Sequence, residues 1–243
     1  MKYNEVKPCA DLAPYIHSFW ELKGGPISKW ERIFPDGCPG IVTNLGEACE
    51  TDNGLVTMEY RKTYVVGPMT SFKDSFIGPG THLAGVCIKP AAFSCFYSYM
   101  PQYELTNNTV EFDSSFSFDA DKLTKSPVTY FNRYFLDRIK NKNRLLQPVL
   151  ADIHLSKGKL SIHEVSKRNF MTTRQMERDF KTQIGLSPKE YCNIIRFQSA
   201  LAMISNSFNR KSLSEVAYEC GYYDHAHLTN EIKRYAGLTP SQL

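Results

Sequence analysis

The sequence predicts an α+β chain of two domains: a β-rich barrel or sandwich over residues 1–140, and an all-α domain with two helix-turn-helix units over residues 144–243. Three observations lead there. Residues 15–116 are crowded with Gly, Pro and short β-prone runs set between turn sequences such as PDG and GPG, whereas helical periodicity with Lys and Arg on the polar faces begins near Arg144. Charge divides the same way: residues 1–137 hold 12 Lys+Arg against 16 Asp+Glu, a net −4, and residues 138–243 hold 17 against 9, a net +8. The second half also carries an internal repeat of helix-turn-helix size.

In the first half, GIVTNL (40–45), KTYVVG (62–67) and LAGVCIK (83–89) read as short antiparallel strands, and their spacing suits a small barrel or sandwich. Helices are expected over AAFSCFYSYM (91–100) and TYFNRYFLDRIKNK (129–142). The Lys/Asn-rich stretch RIKNKNR places the domain boundary near 138–143.

Composition narrows the function classes. With 42% hydrophobic and 22% charged residues the chain falls within the globular range, outside the disordered, collagen-like and disulfide-scaffold classes. Seven cysteines, an odd count without a CxxC pair, argue against a disulfide framework or a zinc cluster and read as reduced, mostly buried thiols. The apolar runs are too short to cross a bilayer, and MKYNEVKPCADL places acidic residues and proline where a signal peptide needs an apolar stretch. A soluble cytoplasmic protein without a membrane partner is expected. The basic second half suggests a polyanion-binding module, the alternative being a solvated lysine-rich surface.

The repeat aligns Ser161-Ile-His-Glu-Val-Ser-Lys-Arg with Ser212-Leu-Ser-Glu-Val-Ala-Tyr-Glu at an offset of 51. Beyond the turn the offset becomes 52, pairing Met176 with Leu228, Phe180 with Ile232, Gly185 with Gly237 and Pro188 with Pro240. Each copy therefore has a short helix, a turn, a second helix and a closing Gly-Leu-Ser/Thr-Pro. Ala217 and its counterpart Ser166 are small enough to let the second helix cross closely. Gly221 supplies the permissive backbone of the second turn. Between the copies, Ser187 as N-cap and Pro188 at the first helical position open a helix with apolar positions at Tyr191, Ile194, Ile195, Ala202 and Met203. Run to residue 205 it would be roughly 27 Å long, comparable to the ~34 Å between major grooves on one face of B-DNA.

Residues Ser212-Leu-Ser-Glu-Val-Ala-Tyr-Glu-Cys-Gly-Tyr-Tyr-Asp-His-Ala-His-Leu, followed by Lys233-Arg234-Tyr-Ala-Gly-Leu-Thr-Pro, closely resemble the C-terminal signature of AraC/XylS-type transcription regulators, over about residues 144–243. The segments ERIFPDGCPGIVTNLG (31–46), YVVGPMT (64–70) and ELTNNTVEF (104–112) are similar to the cupin-like sensor domain found in front of that module. The resemblance implies an effector-responsive regulator whose partners are double-stranded DNA, a small-molecule effector and RNA polymerase, acting as monomer or homodimer. Two departures stand out. Phe170 occupies the place of the usual turn glycine, so Asn169 is expected to take up the left-handed backbone. The segment after Thr239-Pro240 is expected to form only a very short last helix.

Within the first unit the reading helix would run from Thr172 to Lys181, with Met176 and Phe180 inward and Arg174, Glu177 and Arg178 directed to base edges. In the second, Leu228 and Ile232 turn inward and leave His225, Ala226, Thr229 and Asn230 for the groove. Thr172, Thr173, Lys181, His227 and Lys233 are the expected phosphate contacts.

The first half offers less chemistry. His17 and His82 have no HxH or carboxylate triad beside them, so neither a metal nor another cofactor is expected. Nothing marks a nucleophile elbow, a phosphate loop or an acid/base pair, so no catalytic residue is assigned. Glu31, Arg32 and Asp36 could line a ligand pocket, or form an Asp-Gly turn with a surface ion pair. Trp20, Trp30, Tyr64 and Phe72 fit pocket walls or core, so Trp30 and Tyr64 complete the ligand candidates. The competing function is an enzyme with a small-molecule-binding barrel and an accessory nucleic-acid-binding domain.

Overall fold

The computed structural model describes residues 1–97, 101–139, 146–205 and 211–243. Among the described residues of the first half ten strands form: β1 (Lys2–Val6), β2 (Ile16–Lys23), β3 (Lys29–Ile33), β4 (Gly40–Asn44), β5 (Cys49–Thr51), β6 (Val56–Met58), β7 (Thr63–Val66), β8 (Lys73–Ile77), β9 (His82–Ile88) and β10 (Thr109–Glu111). Six make an antiparallel sheet in the order β1-β2-β9-β4-β7-β10, and β3–β8 and β5–β6 are separate two-stranded ribbons. The expected barrel is therefore open: among the described residues β1 and β10 are the edges of the sheet, and the ribbons do not join its backbone ladder.

Side-chain alternation gives this sheet two apolar faces. Phe19, Ile41, Val65, Ala84, Val86 and Ile88 point to one, where α1 (Ala120–Lys125) and α2 (Pro127–Leu136) supply Leu123, Phe131 and Phe135. Trp20, Val42, Tyr64, Val66 and Leu83 point to the other, meeting Cys49 and Met58 from the β5–β6 ribbon. Gly85 on β9 is required here, since a Cβ would lie 2.4 Å from the Trp20 ring.

The helix expected over 91–100 forms only a 3-10 turn, Phe93–Cys95, with residues 98–100 outside the described ones. Ala92, Phe93, Cys95, Phe96 and Tyr97 are all buried, so residues 92–97 pack into the sheet's core with Ser94 alone exposed among them. The second expected helix is realised as α2, and the predicted boundary at 138–143 falls mostly on residues 140–145, outside the described ones.

The second half is helical: α3 (Gln147–Leu155), α4 (Ile162–Arg168), α5 (Thr173–Gln183), α6 (Pro188–Ser205), α7 (Leu213–Cys220) and α8 (His225–Ala236). They share one core, in which Val165, Met176, Phe180, Ile194, Phe197, Val216, Leu228 and Ile232 are buried. The repeat has a local cause: Ser161 with Glu164 and Ser212 with Glu215 form matching capping boxes at the starts of α4 and α7. In α6, Tyr191, Ile194 and Ile195 are buried as expected, but Ala202 is exposed because it faces a cavity between the domains.

Candidate nucleic-acid interface and effector cavity

Each reading helix follows its partner across a tight turn. Gly221 ends α7 in the left-handed region, with φ 75°, and Tyr222 N–H then donates to the Ala217 carbonyl at 2.8 Å. The first unit reproduces these bonds, Met171 N–H donating to the Ser166 carbonyl at 3.0 Å, and here Phe170 itself takes φ 53°. Asn169, expected to be the left-handed residue, has φ −98° instead. Its side-chain amide is committed elsewhere, donating to Asp152 and to the Val165 carbonyl. The Phe170 side chain, 99% exposed, gains nothing from its place in the turn.

Caps then start the reading helices. Thr172 Oγ1 accepts from Gln175 N–H at 3.1 Å, and Asp224 Oδ1 accepts from His227 N–H at 2.7 Å. Met176, Phe180, Leu228 and Ile232 are fully buried, which turns Thr173, Arg174, Glu177, Arg178 and Lys181 on α5, and His225, Ala226, His227, Asn230 and Lys233 on α8, toward solvent. Gln175 is exposed on the same surface of α5 and was missed, its amide being less distinctive in sequence than the neighbouring arginines.

Several expected contacts have internal partners. Thr229 is half-buried and donates to the His225 carbonyl, and Thr172 caps its own helix. His227 Nδ1 accepts from Tyr223 N–H at 3.4 Å, with its ring edge-on to Tyr222. The Arg178 guanidinium lies 3.1 Å from Asp179 but stays exposed. Lys181 lies over the Tyr103 ring of the first domain at 5.2 Å, so it also belongs to the contact between domains.

That contact gathers the C-terminal ends of both reading helices. Arg32 Nη1 donates to the Ala236 carbonyl at the end of α8, placing a cation on the negative end of the helix dipole. Its remaining nitrogens grip Asp74 at 2.8 and 2.9 Å, and its plane covers Phe72. Thr106 Oγ1 donates to the Gly185 carbonyl after α5, and Gln198 Nε2 donates to the Pro35 carbonyl. Phe34 meets Phe197 edge-on, and the Tyr191 ring fills the space a Gly37 Cβ would need.

Two cavities flank this junction. One, of about 410 Å³, lies between the sheet and its ribbons and is lined by Glu31, Asp36, Trp20, Thr51, Asp52, Lys73 and Ser75 among others. The other, of about 790 Å³, lies between domains, with Asp36, Cys38, His17 and Lys89 on one wall and His154, Tyr191 and Gln198 on the opposite one.

Of the five ligand candidates only Glu31 and Asp36 line the first cavity. Strand alternation explains the rest: Glu31 and Ile33 point inward, whereas Trp30 packs outward at a tilt against Phe76 and Arg32 reaches the α8 end. Tyr64 is core, its hydroxyl accepting from Glu59 N–H and donating to the Thr57 carbonyl. No sequence motif marks the buried Lys73–Asp52 pair, at 2.6 Å, which Thr109 joins through Asp52 Oδ1.

Around Asp36, polar groups crowd a confined wall. Crowding by the cavity wall desolvates the otherwise exposed Asp36 carboxyl and raises its pKa despite the lowering hydrogen bond from Cys38 N–H. Hydrogen bonding with Cys87 and then burial push the Cys38 thiol well above its usual range. Burial, then the charges of Cys38 and Asp36, raise Tyr191 as well.

Residues 165–243 match the profile of a helix-turn-helix domain, and residues 4–111 match that of a domain of unknown function, DUF6597. The C-terminal domain is a helix-turn-helix domain of AraC type. Among curated relatives, the probable transcriptional regulator LumQ of Photobacterium leiognathi is 29% identical over 49% of this chain and 46% of its own length. The transcriptional activator RhaS of Escherichia coli (strain SE11) is 28% identical over 32% of this chain and 28% of its own. The chain thus spans less than half the length of these relatives. In overall fold it is similar to ToxT of Vibrio cholerae. An apo ToxT variant aligns with a TM-score of 0.51 at 11% identity, covering 92% of this chain and 96% of that one. ToxT bound to (E)-4-(8-methylnaphthalen-1-yl)but-3-enoic acid aligns at 0.51 and 10%, covering 89% and 97%. Among the described residues no helix is long and apolar enough to cross a membrane.

Proposed function

We propose that the chain is a sequence-specific DNA-binding transcription regulator whose N-terminal domain takes a small effector. The observation that carries this is the pair of equivalent units, α4–α5 and α7–α8, held on one 18-residue helix with polar, cationic reading surfaces. Arg174, Glu177 and Arg178 serve as base readers of the first unit, with the donors and acceptors for G·C and C·G pairs. His225, Ala226, Thr229 and Asn230 read for the second, Asn suiting adenine and Ala the thymine methyl. Thr172, Thr173, Lys181, His227 and Lys233 fix the register on phosphates, Thr172 and Thr173 from the exposed start of α5.

The effector occupies the cavity between sheet and ribbons, where the apolar walls around Trp20 and Leu83 surround the carboxylates of Glu31 and Asp36 and the Lys73–Asp52 pair. The β3–β4 region carries both inward-facing Glu31 and the Arg32, Phe34 and Pro35 contacts to α6 and α8, so occupancy can bias how the DNA-binding domain sits. The likeness of fold to ToxT, a protein crystallised with a small organic acid, agrees with this use of the first domain. A monomer or homodimer contacting RNA polymerase is the working arrangement.

The test is the affinity of the full chain for a DNA fragment selected from random sequence, measured against salt. With six to ten phosphate contacts the affinity falls by ~10³–10⁵ between about 50 and 200 mM salt. A flat response over that range contradicts the reading.

A further inference from the structure

Asp36, Cys38 and Cys87 converge from two places in the chain. The first two flank Gly37 in the β3–β4 loop, and Cys87 lies on β9 opposite Gly40 of β4. Their ligand atoms, one carboxylate oxygen and two sulfurs, all lie within 4.8 Å of one another, and Cys87 Sγ is 3.9 Å from Asp36 Oδ2. We propose that these three side chains form a binding site for a zinc-class divalent cation.

The donor set fits such an ion. Two thiolates select borderline-soft metals over magnesium or calcium, and one carboxylate is a common third ligand. With Zn–S near 2.3 Å and Zn–O near 2.0–2.2 Å, tetrahedral geometry places ligand atoms roughly 3.3–3.8 Å apart. The observed cluster lies close to that spacing: Asp36 Oδ1 is held by Cys38 N–H at 2.9 Å, which leaves the other carboxylate oxygen facing Cys87 Sγ at 3.9 Å. Cys38 and Cys87 are partly accessible, unlike Cys49, Cys95, Cys192 and Cys220, which are buried in the two cores. Three protein ligands leave a fourth position open. It faces the cavities that Asp36, Cys38 and His17 line in common, so water, the imidazole of His17 or a group of the effector can complete the shell.

The placement gives the site a consequence, which rests on the proposed regulatory reading. Residues 34–37 meet the spacer helix α6 through Phe34, the Pro35 carbonyl and Gly37. A cation tying Asp36 and Cys38 to β9 would fix this loop, and with it the seat of the helix between the two reading heads.

Cobalt(II) is the probe, added to the reduced full-length chain, with Zn2+ as competitor. The expected result is one Co2+ per chain with sulfur-to-cobalt charge-transfer absorption in the near ultraviolet, abolished by excess Zn2+. Cys38→Ser and Cys87→Ser should each weaken binding by at least about a hundredfold, and Asp36→Asn by at least about tenfold, beyond or within what outer-shell changes cause. Cys9→Ser should leave it unchanged. Circular dichroism establishes that each variant is folded, and Asp36→Asn, which leaves both thiols in place, keeps the test valid if a cysteine variant is not. No charge-transfer absorption in the reduced chain, or absorption that survives in folded Cys38→Ser and Cys87→Ser, overturns the proposal. So does formation of a Cys38–Cys87 disulfide on oxidation in a chain that binds no cobalt when reduced. None of these readouts involves DNA, so failure here is separate from failure of the regulator reading.

Discussion

Replacing Phe170 with glycine should stabilise the protein, although it deletes a large apolar side chain. Phe170 sits at φ 53° in the first turn, where the twin unit has Gly221 at φ 75°, and the side chain is 99% exposed. Holding an L-residue in the left-handed region costs about 1–2 kcal/mol. Glycine removes that strain and gives back roughly 0.5–1 kcal/mol through the greater freedom of the unfolded chain. With no burial to lose, the net gain is about 0.5–1 kcal/mol, or roughly 1–4 °C in Tm for a chain of this size. The reciprocal change, Gly221→Ala, should lose about 1–2 kcal/mol; its new Cβ would also press on Lys159 Cγ at 2.9 Å. Urea unfolding of the three proteins, followed by circular dichroism, measures both. A Phe170→Gly chain less stable than the parent would refute the argument, because it would mean that the ring packs against something. DNA affinity distinguishes a further role: a more stable variant that binds DNA more weakly would make Phe170 a contact at the interface.

Other perturbations address separate parts of the molecule. Arg178→Ala should cost about 1–3 kcal/mol on the preferred site and relax specificity at one base pair, whereas Lys233→Ala should weaken all sequences alike; equal losses on specific and scrambled DNA for Arg178→Ala would make it a phosphate contact. Phe197→Pro, in mid-α6 and fully buried against Tyr235 and Phe34, should cost about 3 kcal/mol or more and uncouple the two units, read as loss of joint protection on DNA. Burial lowers the His154 pKa, so the folded chain binds fewer protons than the unfolded one and stability falls as pH drops through the unfolded imidazole value. Between about pH 7.5 and 5.5 the urea midpoint should therefore fall further for the parent than for His154→Gln, the comparison isolating His154 from His17, Asp36 and Lys89 in the same cavity; equal falls would contradict it.

The sequence made some of this legible because the physics was local. Capping boxes need a serine and a glutamate three apart, and the inward phase of Met176, Phe180, Leu228 and Ile232 follows from helical spacing, so both units are legible from local sequence. Strand existence was readable from β-prone runs, but closure was not, since whether β3 and β8 join the main sheet depends on contacts distant in sequence. The same limit hid the role of Arg32, whose carbonyl partner lies 204 residues away. It hid Cys87 beside Asp36 and Cys38, for no spacing rule connects a loop to a strand 51 residues on. The turn at Phe170 went wrong for a different reason. Asn is the usual non-glycine choice for left-handed backbone, yet Asn169 was already engaged as a helix end and bonded to Asp152.

Footprinting tests the reading of two heads on one helix most directly. A single chain bound to its selected site should protect two adjacent major-groove segments, centred about 10 bp apart on one face of the duplex, in an asymmetric sequence because α5 and α8 differ. Protection of a single groove by the intact chain would contradict it, and would leave the other unit, the one with Phe170 in its turn, as a purely structural copy.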